Sequence, residues 1–123
     1  KMEKKDEGIW EVEVGPVPAG SYRYNFTVDG LRILDPQNTE DSESNTQSWS
    51  LAQVTGSDLF DTKDAPHGEV AEITYHSKSL ETFRRLHVYT PPGYESGSDS
   101  YPLFFLLHGA MDSDDSWSTV GRA

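Results

Sequence analysis

The sequence predicts a chain that is mostly β: an antiparallel β-sandwich segment, then the first strands of a parallel or mixed sheet of the kind covered by helices. Three observations carry this. Apolar residues alternate strictly with polar ones at Trp10, Val12, Val14 and again at Tyr22, Tyr24, Phe26, Val28, the period of half-buried strands. Asp29-Gly30 sits between two such runs, a strong two-residue hairpin signal. Finally, Leu103-Phe104-Phe105-Leu106-Leu107 is an unbroken apolar run between Pro102 and Gly109, with the length and boundaries of a strand buried on both faces.

Taken in order, Lys1 to Glu7 is charged, and Ile9 to Val14 reads as a strand with Trp10, Val12 and Val14 on its buried face. Gly15 to Gly20 breaks the pattern, and Tyr22 to Val28 resumes it. Asp29-Gly30 then returns the chain along Leu31 to Leu34. Thr39 to Gln47 holds no apolar residue and reads as a polar, acidic loop, after which Trp49 to Val54 returns as a strand ending at Gly56. Residues 57–68, with Asp58, Asp61, Asp64, Pro66 and Gly68, read as an interdomain linker. Val70 to Tyr75 and Leu86 to Thr90 are two further strand candidates, an exposed antiparallel pair beside the central run Leu103 to Leu107. That run leads into His108-Gly109-Ala110-Met111 and an acidic, hydroxyl-rich turn (Asp112, Ser113, Asp114, Asp115, Ser116), expected to cap the start of a helix at Trp117.

Composition narrows the partners. Ten Lys and Arg stand against 21 Asp and Glu, a formal net charge of -11, which disfavours a nucleic-acid partner. There is no cysteine, so disulfides, thiolate metal sites and a Cys nucleophile are excluded, and the compartment is left undecided. No apolar run approaches the roughly 18 residues of a membrane span, and no signal-peptide pattern opens the chain.

Two motifs at the right separation carry a resemblance. Val88-Tyr89-Thr90-Pro91-Pro92-Gly93-Tyr94-Glu95, followed by Tyr101 to His108-Gly109, Asp112 and Ser116-Trp117, resembles the opening of the α/β-hydrolase domain of bacterial esterases of the esterase D type, a group that includes feruloyl and acetyl-xylan esterases. Upstream, Gly8-Ile9-Trp10-Glu11, the Pro-Ala-Gly turn, Tyr22-Arg23-Tyr24-Asn25-Phe26, Val28-Asp29-Gly30 and Asp35-Pro36 resemble the second half of a family 48 carbohydrate-binding module, an immunoglobulin-like sandwich. The resemblance implies three parts: a partial carbohydrate-binding-type module over residues 1–56, the linker 57–68, and the N-terminal part of an esterase domain over residues 69–123. A sandwich of this type needs about seven strands, and only about four are legible before Gly56. The others are expected before Lys1.

In such hydrolases the loop after the third strand supplies one backbone N–H of the oxyanion hole. Here that donor would be the amide of Ala110 or Met111, with Gly109 allowing the backbone to turn. The nucleophile of the group lies on a G-x-S-x-G elbow, and none occurs: Gly20-Ser21, Gly56-Ser57 and Gly97-Ser98 lack the intervening residue. Because histidine comes last in the chain order of these triads, His67, His76, His87 and His108 are not candidates for the catalytic histidine. The chain alone is therefore expected to be inactive. The resemblance implies no metal or organic cofactor. It implies a plant cell-wall polysaccharide ester as the substrate of the intact enzyme, and favours a secreted or periplasmic location.

Plainer readings compete at several positions. Trp117 would sooner pack under its loop than touch substrate, and Trp10, Tyr22, Tyr24 and Phe26 fall on a face expected to form core. Trp49, beside the polar loop, is the one aromatic left as a candidate for an exposed sugar contact, against the plainer reading that it packs in the core. Starch-binding modules carry an aromatic shortly after the Asp-Gly turn, where this chain has Leu31, Arg32 and Ile33. Asp112, Asp114 and Asp115 lack the spacing, glycine and distal glutamate of a calcium loop and read better as capping and turn residues. Two alternatives to the esterase reading stay open: a non-catalytic module that binds carbohydrate or protein, and self-association through open sheet edges.

Overall fold

A computed structural model of the chain describes residues 1–121. The Asp29-Gly30 signal is realised locally. Strands β4 (Phe26–Val28) and β5 (Leu31–Ile33) pair antiparallel with Val28 opposite Leu31, leaving a two-residue loop. Asp29 and Gly30 have φ of 50° and 84°, the left-handed pair that a type I′ turn requires. At Gly30 an added methyl would meet no atom within 4 Å, so only backbone conformation opposes it. Gly30→Ala is expected to weaken the hairpin by about 1 kcal/mol, read as faster amide exchange across β4 and β5.

The other strands form small antiparallel sheets with almost no helix, an arrangement consistent with a β-sandwich. β1 (Glu3–Lys4) pairs with β2 (Trp10–Glu11) across a short turn. β3 (Gly20–Tyr24) and β6 (Asp41–Glu43) flank β7 (Ser48–Val54) in the order β3-β7-β6. Along that sheet Arg23 faces Leu51 and Ser42 faces Trp49. β8 (Glu69–Ser77) and β9 (Thr82–Thr90) make a nine-residue antiparallel pair, β8 longer at both ends than the sequence pattern suggests and β9 starting four residues earlier and ending at Thr90 as expected. Residues 57–68 carry no strand or helix among the described residues.

The interior differs from the expected one. Among the described residues Leu51, 3% exposed, is the buried large apolar residue, and Ser42, Ser50 and Ser116 are buried as well. These hydroxyls are hydrogen-bonded, as burial demands: Ser50 Oγ accepts from the Asp35 amide (2.9 Å), and Ser42 Oγ accepts from Arg23 Nη2 (2.8 Å). Tyr24 OH donates to Asp35 Oδ2 (2.7 Å) and accepts from Asn38 Nδ2 (2.9 Å). Burial pushes the Tyr24 phenol above its ordinary value, with the Asp35 carboxylate adding to the rise and Asn38 opposing it.

Several expectations are therefore corrected. Only Trp10 and Glu11 of the Ile9–Val14 run are in a strand, and Trp10, Val12 and Val14 are exposed, because their two-residue partner β1 offers no second layer. Tyr22 is exposed; Tyr24 and Phe26 are half-buried, with their rings edge-to-face at 5.8 Å. The polar stretch Thr39 to Gln47 contains β6, held by ladder bonds and buried serine rather than by apolar side chains. Leu103 to Leu107, expected as a buried central strand, has no ladder partner among the described residues and is exposed along its length. A strand buried on both faces requires neighbours in the sheet and layers on each side, and residues 1–121 place neither against it. The residues after Asp112 form successive turns rather than the expected helix, among them Thr119 N–H to the Asp115 carbonyl (2.9 Å) and Gly121 N–H to that of Ser116 (2.8 Å).

Candidate functional site

Gly109 to Asp112 close a tight turn in which the Asp112 amide donates to the Gly109 carbonyl at 3.1 Å. Ala110 and Met111 occupy its two inner positions, both exposed, and neither amide N–H has a hydrogen-bond partner among the described residues. The outer side of the turn docks on the loop after β6. The Met111 carbonyl accepts from the Asn45 amide (3.2 Å), the Ala110 carbonyl from Asn45 Nδ2 (3.5 Å), and Ser44 bridges Asp112 in antiparallel fashion.

Two arginines hold the acidic residues that follow. Arg23 Nη1 pairs with Asp112, while its Nη2 reaches Ser42 Oγ (2.8 Å), the Glu43 carbonyl (3.0 Å) and Ser116 Oγ (3.3 Å). Arg85, on β9, grips Asp114 with two bonds, Nε to Oδ2 at 2.8 Å and Nη2 to Oδ1 at 3.1 Å, and also pairs with Glu43 of β6. A planar guanidinium suits such two-point recognition of a carboxylate. Glu72 Oε2 lies 3.7 Å from both Arg85 Nη1 and His87 Nε2. His87 Nδ1 stands 3.1 Å from Asp114 Oδ2 but out of hydrogen-bond alignment. Asp115 accepts from the Ser113 hydroxyl and from the Glu43 amide (3.3 Å).

The electrostatics follow from these contacts. Hydrogen bonding to Arg85 holds the Asp114 carboxyl below the usual range against the opposing effect of burial, and the same bond, with that to Glu43, raises the Arg85 guanidinium further. Asp112, Asp114 and Asp115 are thus engaged by arginine, histidine and backbone partners. Among the described residues no group of three or more His, Cys, Asp or Glu side chains is arranged to hold a metal ion.

The tryptophans have quieter surroundings. Trp117 is 43% exposed, and its Nε1 donates to the Leu107 carbonyl at 3.0 Å, tying the turn back to the apolar run. Trp49 is half-buried, and the Arg32 guanidinium covers its ring at 5.5 Å from the centroid. An open hollow lies where the Pro91-Pro92-Gly93-Tyr94 loop meets His67 and Glu69, and its lining does not include Gly109 to Asp112. No helix among the described residues is long and apolar enough to cross a membrane.

Arg23, Asn45, Glu43, Arg85 and His87 do not stand out in the sequence. Arg23 and Arg85 fall on the polar faces of alternating strands, where a charge ordinarily meets water. The signal available was one of balance: few cations in an acidic chain, Arg23, Arg32, Arg84 and Arg85 among them within strands, and a dense acidic turn in need of counter-charge.

The class defined by this fold and site is a β-rich chain whose exposed, amide-presenting turn and the acidic residues after it are held by arginines from two separate sheets, Arg23 at Asp112 and Arg85 at Asp114. The sequence is similar to an endo-1,4-beta-xylanase/feruloyl esterase from Xylanibacter ruminicola, 28% identical over 130 residues that take in 99% of this chain and 18% of that protein. The chain thus spans less than a fifth of the length of that relative. No family model matches the sequence.

Proposed function

We propose that the chain is part of a xylan-degrading hydrolase and contributes to it the oxyanion loop of a serine carboxylesterase acting on feruloyl or acetyl esters of plant cell-wall xylan. The observation that carries this is the similarity, along almost the whole chain, to a protein named as both xylanase and feruloyl esterase. The geometry supports the finer reading: Gly109 opens a turn whose Ala110 and Met111 amides are unengaged and exposed, as donors awaiting a developing negative charge must be. Residues 1–56 would form the module, residues 57–68 the linker, and residues from 69 onward the start of the esterase domain; residues 122 and 123 of that domain lie outside the described residues.

In this mechanism a serine outside the chain attacks the ester carbonyl, activated by a histidine also outside it. Negative charge moves onto the carbonyl oxygen, and the Ala110 or Met111 N–H donates to it. A fluorophosphonate serine probe tests the reading. The full-length protein is expected to take one adduct on a serine outside residues 1–123 and to release ferulate or acetate from xylan, while the chain alone takes none. Labelling of a serine within the chain, or a full-length protein inert towards both probe and ester, would remove the proposal.

A further inference from the structure

We propose that Arg23 is a positioning residue for the Ala110 and Met111 amides, so that the β3-β7-β6 sheet is a working part of the ester-hydrolysing site rather than a separate sugar-binding module. This rests on the oxyanion reading above. In a trans peptide the C=O and the following N–H point in opposite directions. The Ala110 carbonyl faces Asn45 Nδ2, so the Met111 N–H is turned away from the sheet, toward the open side. The Met111 carbonyl, bound by the Asn45 amide, ties the turn to the same loop a second time, while the Ala110 N–H belongs to the peptide whose Gly109 carbonyl accepts from the Asp112 amide. The Met111 N–H is therefore aimed by the Asn45 loop and the Ala110 N–H by the Asp112 end of the turn, so both depend on how those two segments stand relative to each other.

Arg23 is the side chain that holds those two segments together. Its backbone is in β3 opposite Leu51, the most buried apolar residue, so its stem starts from a fixed point. One nitrogen takes Asp112, the last residue of the turn; the other takes Ser42 Oγ and the Glu43 carbonyl of β6, just before Asn45, and Ser116 beyond the turn. Thr119 closes the same contact by donating to Ser42 Oγ at 2.9 Å. Arg85 also joins the two segments, through the Asp114 and Glu43 carboxylates, but does not reach the turn itself. The sheet meanwhile lacks a free sugar platform at Trp49, whose ring carries Arg32.

A lysine would keep the charge but not the fork that reaches both segments at once, which separates positioning from charge alone. In the full-length protein, Arg23→Gln is expected to lower kcat on a feruloyl or acetyl ester about tenfold, with KM within about twofold, as for a donor misaimed at the transition state. Arg23→Lys is expected to recover part of the loss. Amide exchange at Asn45 and Asp112, whose N–H groups make the anchoring bonds, should quicken about tenfold in Arg23→Gln. Unchanged exchange at those two amides would overturn the proposal, as would faster exchange with kcat intact. A wild-type protein that turns over neither ester would overturn the oxyanion reading instead, with the exchange result still deciding whether Arg23 holds the turn.

Discussion

Gly68→Ala is expected to cost about 2–3 kcal/mol and to open the β8–β9 pair from its end. Gly68 immediately precedes Glu69, which pairs with Thr90 as the first rung of the ladder. A Cβ there would fall on the Thr90 carbonyl oxygen and stand 2.5 Å from Cε2 and 2.6 Å from Cζ of the Tyr89 ring. The ring is exposed and can swing aside. The carbonyl cannot, because it is backbone at the mouth of the ladder, and moving it separates the two strands. The backbone at Gly68 is not left-handed, so the requirement is one of space alone. Gly93→Ala makes the contrast: its φ of 79° is left-handed, yet nothing lies within 4 Å of the added methyl, and about 1 kcal/mol is expected there. Exchange of the β8 amides that point into the ladder near Glu69, every second one along the strand, should quicken about 30-fold or more in Gly68→Ala. Protection equal to wild type would mean that the Thr90 carbonyl has room to yield.

That prediction rests on a pair of strands the sequence shows well, and the contrast with other segments is physical. Where structure is local, the residues are enough. Asp29-Gly30 sets its turn through φ alone, and β8 and β9 are joined by a short connection that leaves little freedom of register. Where structure depends on distant partners, periodicity misleads. Trp10, Val12 and Val14 have the right alternation but find no second layer, while Ser42 is fully buried in a stretch with no apolar residue, because hydrogen bonds from Arg23 and Thr119 stabilise it there. The same holds for the candidate site. Gly109, Ala110 and Met111 could be singled out from a motif, since a glycine turn after an apolar run is a feature of neighbouring residues. The clasp could not, since Arg23 and Asp112 are 89 residues apart and alternation assigns Arg23 to the solvent face. Nor does alternation say which face of β9 is covered: here it is the polar one, with Arg85 and His87 under the acidic turn and Leu86 and Val88 more open.

Arg85→Leu is expected to loosen the acidic turn by about 2–3 kcal/mol at neutral pH, less than the cost of breaking a fully buried ion pair because about a third of the Arg85 side chain remains exposed. The loss exceeds that of one surface pair because Arg85 stands between several carboxylates. Removing it leaves the Asp114 and Glu43 carboxylates without their shared guanidinium, with Glu72 close by and His87 beside Asp114 and Glu72. The pH dependence identifies the cause. The Asp114 carboxyl is held below its ordinary value in the folded chain, chiefly by Arg85, so its contribution is complete above the unfolded value of about 4 and is lost as pH falls through the lower folded value. Protection factors of the Ser116 and Thr119 amides, both bonded within the turn, report on this. They should fall steeply with acid in the wild type and less steeply in Arg85→Leu, the two profiles converging where Asp114 is protonated in both. Added salt should weaken the wild type more than the variant. Parallel profiles, offset by a constant amount down to the lowest pH, would mean that Arg85 acts through packing of its stem and not through the charge of Asp114.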